Sequence, residues 1–195
     1  MHVPPSPHRH RARRVLVVLA VAALLAWLAA WSWRQPFLLP LRTLWELSRL
    51  PASTSLPVPV HGVAARDIAA TFGAPRGNDR QHAGVDIFAR RGTPVLSSTR
   101  GVITTIRDGG LGGRQVWVLG PGMERYYYAH LDDWAPGLAS GDVVAAGTPL
   151  GTVGTVGTTG NAKGTPPHLH FGIYARDGAQ DPLPRLRAGA VSGRR

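Results

Sequence analysis

The rhythm of hydrophobic and polar positions changes twice along this chain. Residues 15–33 form an unbroken apolar run whose only polar member is Ser32. Nothing in it provides a face for water, which predicts a helix in an apolar medium. At about 1.5 Å per residue such a helix spans roughly 28 Å, close to the hydrocarbon thickness of a bilayer. Residues 37–50 predict a short amphipathic helix near the membrane surface. Residues 51–60 (PASTSLPVPV) hold three prolines and no charge, and read as an extended linker. From about His61 the pattern changes again. A short helix is expected over 63–70. Strand-like runs follow at 94–97, 102–107, 115–119, 125–130, 143–145, 150–153 and 169–174. Glycine turns separate them, and an all-β domain is the expected fold class.

Two of these segments alternate cleanly. In residues 168–174 (HLHFGIY), a strand directs Leu169, Phe171 and Ile173 to one side and His168, His170, Gly172 and Tyr174 to the other. In residues 82–87 (HAGVDI), His82, Gly84 and Asp86 share one parity and Ala83, Val85 and Ile87 the other. Gly84 is expected to leave open space between the imidazole and the carboxylate. His130 closes the aromatic run Tyr126-Tyr127-Tyr128-Ala129. Each feature alone has an ordinary reading: a solvated strand face, a chance His-x-x-x-Asp, a structural histidine. Together they hold four histidines and a carboxylate, and two histidines with one carboxylate are a common catalytic zinc set that leaves one coordination position for water. Such a set needs no thiolate.

Composition narrows the alternatives. The chain has 195 residues, room for one ordinary domain and a short appendage. It has no cysteine, which excludes a disulfide scaffold, a thiolate metal site and a thiol nucleophile. Its net charge of +11 invites a nucleic-acid reading. The charge is divided, however. Residues 1–60 carry seven arginines against one acid, and residues 61–195 carry fifteen basic against ten acidic side chains. The domain shows no dense basic cluster, so no nucleic-acid partner is expected.

Arg9, Arg11, Arg13 and Arg14 precede the apolar run and Arg34 follows it. That asymmetry favours a cytoplasmic N-terminus and an exported domain. The expected organisation is a basic cytoplasmic tail at 1–14, a transmembrane anchor or signal sequence at 15–33, a juxtamembrane segment and proline-rich linker at 34–60, and a domain at 61–195 ending in a short basic tail. An uncleaved anchor is preferred, because Leu28 occupies a position where signal cleavage wants a small side chain. The expected location is a membrane, with the domain outside the cytoplasm. A cleaved, secreted form remains open. The glycine-rich stretch 151–164 is not a phosphate loop, since Lys163 precedes Gly164 instead of following it.

Four segments carry a resemblance: FGAPR (72–76), HAGVDIFARRGTPV (82–95), YYAHLD (127–132) and GTTGNAKGTPPHLHFGIY (157–174). Over residues 63–184 the chain resembles the lysostaphin/LytM-type zinc metallopeptidases, which cut peptides of bacterial peptidoglycan. The resemblance implies a mainly antiparallel β-sheet peptidase domain and one Zn²⁺ ion. It implies His82, Asp86 and His170 as metal ligands and His130 and His168 as catalytic residues. Tyr128 and Asn161 are expected to touch substrate. The implied activity is hydrolysis of cell-wall cross-links, with the N-terminal helix in the bacterial inner membrane, the domain on its periplasmic side and protein partners unknown. The step Thr165-Pro166-Pro167 departs from the family pattern and puts substrate preference in question. The alternative is a non-catalytic envelope regulator that binds peptidoglycan or activates another wall hydrolase. A complete apparent ligand set argues against it.

Overall fold

Alternation along the strands dictates where the core forms. The computed structural model describes residues 7–76, 79–154 and 165–192. Two compact units divide the chain, residues 1–42 and 43–195. The first is dominated by helix α1 (Pro7–Trp33). Its segment Arg13–Trp33 has a mean hydropathy of 2.4, long and apolar enough to cross a membrane by length and composition.

Helix α2 (Leu39–Leu47) follows. Among the described residues, twelve strands build the β domain: β1 (Pro75–Arg76), β2 (Arg80–Gln81), β3 (Val85–Phe88), β4 (Pro94–Leu96), β5 (Gly101–Arg107), β6 (Gln115–Leu119), β7 (Arg125–Ala129), β8 (Leu131–Trp134), β9 (Val143–Val144), β10 (Pro149–Val153), β11 (His168–Ala175) and β12 (Gly178–Gln180). Helix α3 (Leu183–Ser192) comes last. The main sheet runs β12-β11-β7-β6-β5-β9, with β3 also paired to β11. A second sheet runs β4-β10-β8, and β1 pairs with β2. Every pairing is antiparallel.

One face of the main sheet is the core. Val85 and Ile87 on β3, Val116 and Val118 on β6, Tyr126 and Tyr128 on β7, and Leu169, Phe171 and Ile173 on β11 all join one buried cluster. Val95, Leu131, Leu150 and Val153 of the second sheet complete it. Because side chains alternate, burying these residues forces their neighbours onto the opposite face. That face carries His170, Tyr127 and Trp117.

The domain begins earlier than the sequence suggests. The segment expected to be an extended linker packs onto the β domain. Leu56 and Val60 are buried in the core cluster. The Leu56 amide donates to the Arg185 carbonyl at 2.9 Å, and Val60 bridges to Val95. Even Leu47 at the end of α2 is fully buried, and Glu46 pairs with Arg100 at 2.5 Å. Prolines make this segment extended; its apolar residues then bury rather than reach into solvent. The helix expected at 63–70 is only a short 3-10 turn, Ala65–Asp67. Helix α3 was not anticipated from the sequence. Leu183 and Leu186 fasten it to the core, and Arg185 pairs with both carboxylate oxygens of the buried Glu124. At Gly189 a Cβ would land on the backbone of Leu56, so the helix and the segment before the domain touch through a glycine.

Truncating Leu56 to alanine leaves a cavity in this core. The substitution is expected to lower stability by about 2–5 kcal/mol. Chemical denaturation of the full chain checks this. A change within error of zero would mean that residues 51–60 are a linker after all.

Candidate metal centre and cleft

Three strands bring the candidate site together. In the register of β11 with β3, His170 lies opposite Asp86; in the register of β11 with β7, it lies opposite Ala129. His82 sits just before β3. Its Nε2 lies 2.8 Å from His170 Nδ1 and 3.1 Å from Asp86 Oδ1, and His170 Nδ1 lies 3.2 Å from the same oxygen. Three potential ligand atoms thus form a small triangle. Ligands tetrahedrally arranged around zinc at about 2.0–2.1 Å would stand roughly 3.3 Å apart. The triangle is close to one face of that tetrahedron, so the residues fit such an ion. His82, Asp86 and His170 are a group able to hold a metal.

Neighbouring groups fix the imidazoles. His82 Nδ1 lies 2.8 Å from the Thr71 carbonyl, which can only accept. In the neutral ring this puts the proton on Nδ1 and turns the Nε2 lone pair toward the triangle. The Thr71 hydroxyl also accepts from the Asp86 amide at 3.2 Å. Thr71 therefore supports two of the three candidate ligands. The motif reading missed it, since it lies one residue before FGAPR and carries no periodic signal. Arg76, the last residue of that motif, pairs with Asp86 Oδ2.

Gly84 does not leave open space. A Cβ there would collide with the Phe171 carbonyl and come within 3.0 Å of the His170 ring. The glycine lets the chain leading into β3 lie directly against β11.

Electrostatics suits metal binding. Burial raises the Asp86 carboxyl, but hydrogen bonds from His170 and His82 and the nearby imidazoles outweigh it and hold the group well below its usual range. It is ionised at neutral pH. Burial lowers His170, more strongly than the attraction of Asp86 raises it. Its imidazole is then neutral and has a lone pair to give.

His168 and His130 face the same centre. The ring centroids of His130 lie 5.1 Å from His168 and 6.0 Å from His170. His168 Nδ1 donates to the Pro166 carbonyl at 2.8 Å, and its Nε2 lies 3.8 Å from Asp86 Oδ1. The unusual Pro-Pro step thus orients a site histidine. His130 has φ = 62°, rare for a residue with a side chain. Its amide donates to the Gly112 carbonyl and its carbonyl accepts from the Gly154 amide, both at 2.9 Å. Burial, aided by repulsion from His168 and His170, pushes His130 down to about 4. Its Nδ1 is buried with no hydrogen-bond partner among the described residues.

Of the expected substrate contacts, Tyr128 is corrected. It is fully buried, its ring lies 5.2 Å from that of Phe171, and its hydroxyl accepts from the Ser98 amide. A side chain with no exposure cannot touch substrate. Strand parity places Tyr127, not Tyr128, on the cleft face, where it stacks on Trp117 at 4.2 Å. Asn161 lies outside the described residues.

A family model described as Peptidase family M23 matches residues 80–182. The chain is 38% identical over 126 residues to an L-Ala–D-Glu endopeptidase of Bacillus subtilis (strain 168), covering 60% of this chain and 39% of that protein. It is 35% identical over 117 residues to lysostaphin of Staphylococcus simulans, covering 57% of this chain and 22% of that protein. The chain therefore spans well under half of either relative. The crystallised catalytic domain of lysostaphin from Staphylococcus simulans superposes with a TM-score of 0.53 at 33% identity, over 61% of this chain and 90% of that one.

Replacing Gly84 by alanine is expected to push β3 away from β11 and loosen the triangle. Stability should fall by about 1–3 kcal/mol, and bound zinc should drop well below one ion per chain. Thermal melting and metal analysis on the same sample check both. Full zinc occupancy in Gly84→Ala would show that this contact does not hold the site.

Proposed function

The chain belongs to peptidase family M23, and from that premise we propose that it is a zinc-dependent endopeptidase of peptidoglycan. The observation that carries the reading is the triangle of His82, Asp86 and His170 with two further imidazoles turned toward it. When bound, a zinc ion supplies Lewis acidity, which polarises a carbonyl and acidifies water near neutral pH.

The chain's own groups do the rest. His82 and His170 donate lone pairs, and Asp86 contributes a negative charge that partly neutralises a dication. Arg76 takes the outer oxygen of Asp86 and so limits its rotation. In its neutral form His168 keeps the proton on Nδ1, held by the Pro166 carbonyl, and turns the Nε2 lone pair to the cleft. It is placed to take a proton from water and return it to the departing amine. His130 is neutral at physiological pH and retains one N–H. Anchored by Gly112 and Gly154, it is placed to donate to the oxygen that gains charge as the peptide carbonyl is attacked.

Helix α1 would anchor the enzyme in the membrane with the catalytic domain in the envelope, as the arginine asymmetry favours. The regulator reading gains no support from a site in which all five side chains converge.

The test is digestion of purified sacculi by the detergent-solubilised full chain, with muropeptides resolved by mass spectrometry. Cleavage is expected, and a chelator or His170→Ala should abolish it. His168→Ala and His130→Ala should keep zinc while lowering kcat by about 10²–10⁴-fold. Identical muropeptide profiles from the natural chain and His170→Ala would overturn the proposal.

A further inference from the structure

The cleft around the candidate metal centre has a marked imbalance of charge. Its volume is about 380 Å³. Arg76, Arg80 and Arg107 line it, and Asp86 is the one acid among the described lining residues. Asp86 is already paired with Arg76. Arg80 has only a weak contact with its neighbour Asp79, at 3.9 Å. Arg107 is exposed and has no ion pair among the described residues.

The sheet register fixes where Arg107 stands. Arg107 lies opposite Gln115, Gln115 opposite Ala129, Ala129 opposite His170, and His170 opposite Asp86. These residues form one row across five strands, on the face away from the core. At about 4.8 Å per strand, the Arg107 backbone is roughly 14 Å from that of His170. An extended peptide advances about 3.3 Å per residue, so this span takes about four residues. A long arginine side chain covers the last one or two.

The ground between is prepared. Gln115 is buried, and its amide is used up: Nε2 donates to the Gly109 and Gly113 carbonyls, and Oε1 accepts from Trp117 Nε1. It therefore holds the β5–β6 hairpin and the indole in place and has no donor left for a carboxylate. Gly112 of that hairpin closes against the Tyr127 hydroxyl, where even a Cβ would collide. The cleft runs beside the hairpin, over the stacked Trp117 and Tyr127 rings. Arg107 stands near enough to count there: burial foremost holds the Tyr127 hydroxyl up at about 12, and the charge of Arg107 pulls against it.

We propose that Arg107 is a specificity residue that selects peptides with a free carboxylate two or three residues from the scissile bond. The peptide lies across the aromatic rings with its carboxylate on the guanidinium. This rests on the endopeptidase reading of the same cleft and names its substrate class: an acid-bearing peptide rather than an all-glycine bridge. A neutral peptide would leave Arg107 without a partner and forgo a charge-assisted contact.

The test uses labelled hexapeptides in which one Glu is walked along an Ala-Gly backbone, each paired with its Gln twin. Binding is read by fluorescence anisotropy on the chelator-treated full chain, where no hydrolysis competes. At least one Glu peptide should bind roughly ten-fold tighter than its twin, the size of one charge-assisted contact. Arg107→Gln should bring that ratio to about one, and Arg107→Lys should keep part of it. Added salt should shrink it. With the zinc-loaded chain the same preference should appear mainly in KM. Equal binding of every Glu and Gln pair, or a preference that survives Arg107→Gln, overturns the proposal. A Glu preference lost in Arg107→Gln while no peptide is cleaved would uphold Arg107 and count against the endopeptidase reading instead.

Discussion

The pairing of β11 with β3 on one side and β7 on the other is the constraint on which the site depends. It sets His170 opposite Asp86 and Ala129. The core locks that register, because Leu169, Phe171 and Ile173 have no exposure. A slip by one residue would turn those three into the cleft and drive His168 and His170 into the core. Hydrophobic burial thus also orients the candidate site: the apolar positions of β11 determine which way its histidines face. The small residues around it serve the same end. Gly84 lets the chain leading into β3 approach, and at Gly172 a side chain would crowd Tyr174 and the Ala83 carbonyl.

A buried carboxylate beside a metal site needs compensation. Asp86 is 5% exposed. Leaving it ionised there would be expensive without partners. It has them on both oxygens: Oδ1 faces the imidazoles and Oδ2 takes Arg76. The arrangement keeps the anion formed before any dication arrives. Thr71 then stiffens it from behind by holding the His82 ring and the Asp86 amide. The binding geometry is organised by groups that are not themselves candidate ligands, as expected where first-ligand orientation has to be exact to within a few tenths of an ångström.

Much of this was legible in the sequence, and the failures have physical causes. Alternation in HLHFGIY, and in HAGVDI over the strand residues Val85, Asp86 and Ile87, assigned the two faces correctly, because a half-buried strand writes its orientation into every second residue; Ala83, before the strand, lines the cleft instead. The strand 115–119 was legible to its bounds. In Tyr126-Tyr127-Tyr128 the same rule misleads, because parity groups Tyr126 and Tyr128 with His130, and the positive φ of His130 breaks the alternation. Aromatic residues on both parities hid the pattern, since tyrosine suits a core and a wet face alike. Residues 51–60 misled for another reason. Proline content reports backbone shape, whereas burial of Leu56 and Val60 depends on a surface assembled from distant residues. Pro166 acts through its carbonyl oxygen, which every residue has, and Thr71 through its carbonyl and one hydroxyl outside any periodic pattern, so no side-chain motif revealed them. Helix α3 lacks a clear apolar stripe and is held by Leu183, Leu186 and the Arg185–Glu124 pair, a contact across 61 positions of chain.

The four imidazoles gathered around Asp86 finally decide what kind of chemistry the cleft can support. If all were charged, their mutual repulsion at ring separations of 4.8–6.0 Å would far exceed what one carboxylate can offset. Burial eases the conflict at His130 and His170, which it pushes toward the neutral form. Neutral rings have lone pairs. Two of these converge beside the Asp86 oxygen, and that of His168 is left facing the cleft because Pro166 occupies its other nitrogen. Crowding histidines into a dry pocket would destabilise a protein that used them as cations. Here it removes charge at His130 and His170 and leaves His82 and His170 closed on the Asp86 oxygen with His168 beside them, an arrangement suited to holding a cation and moving a proton beside it.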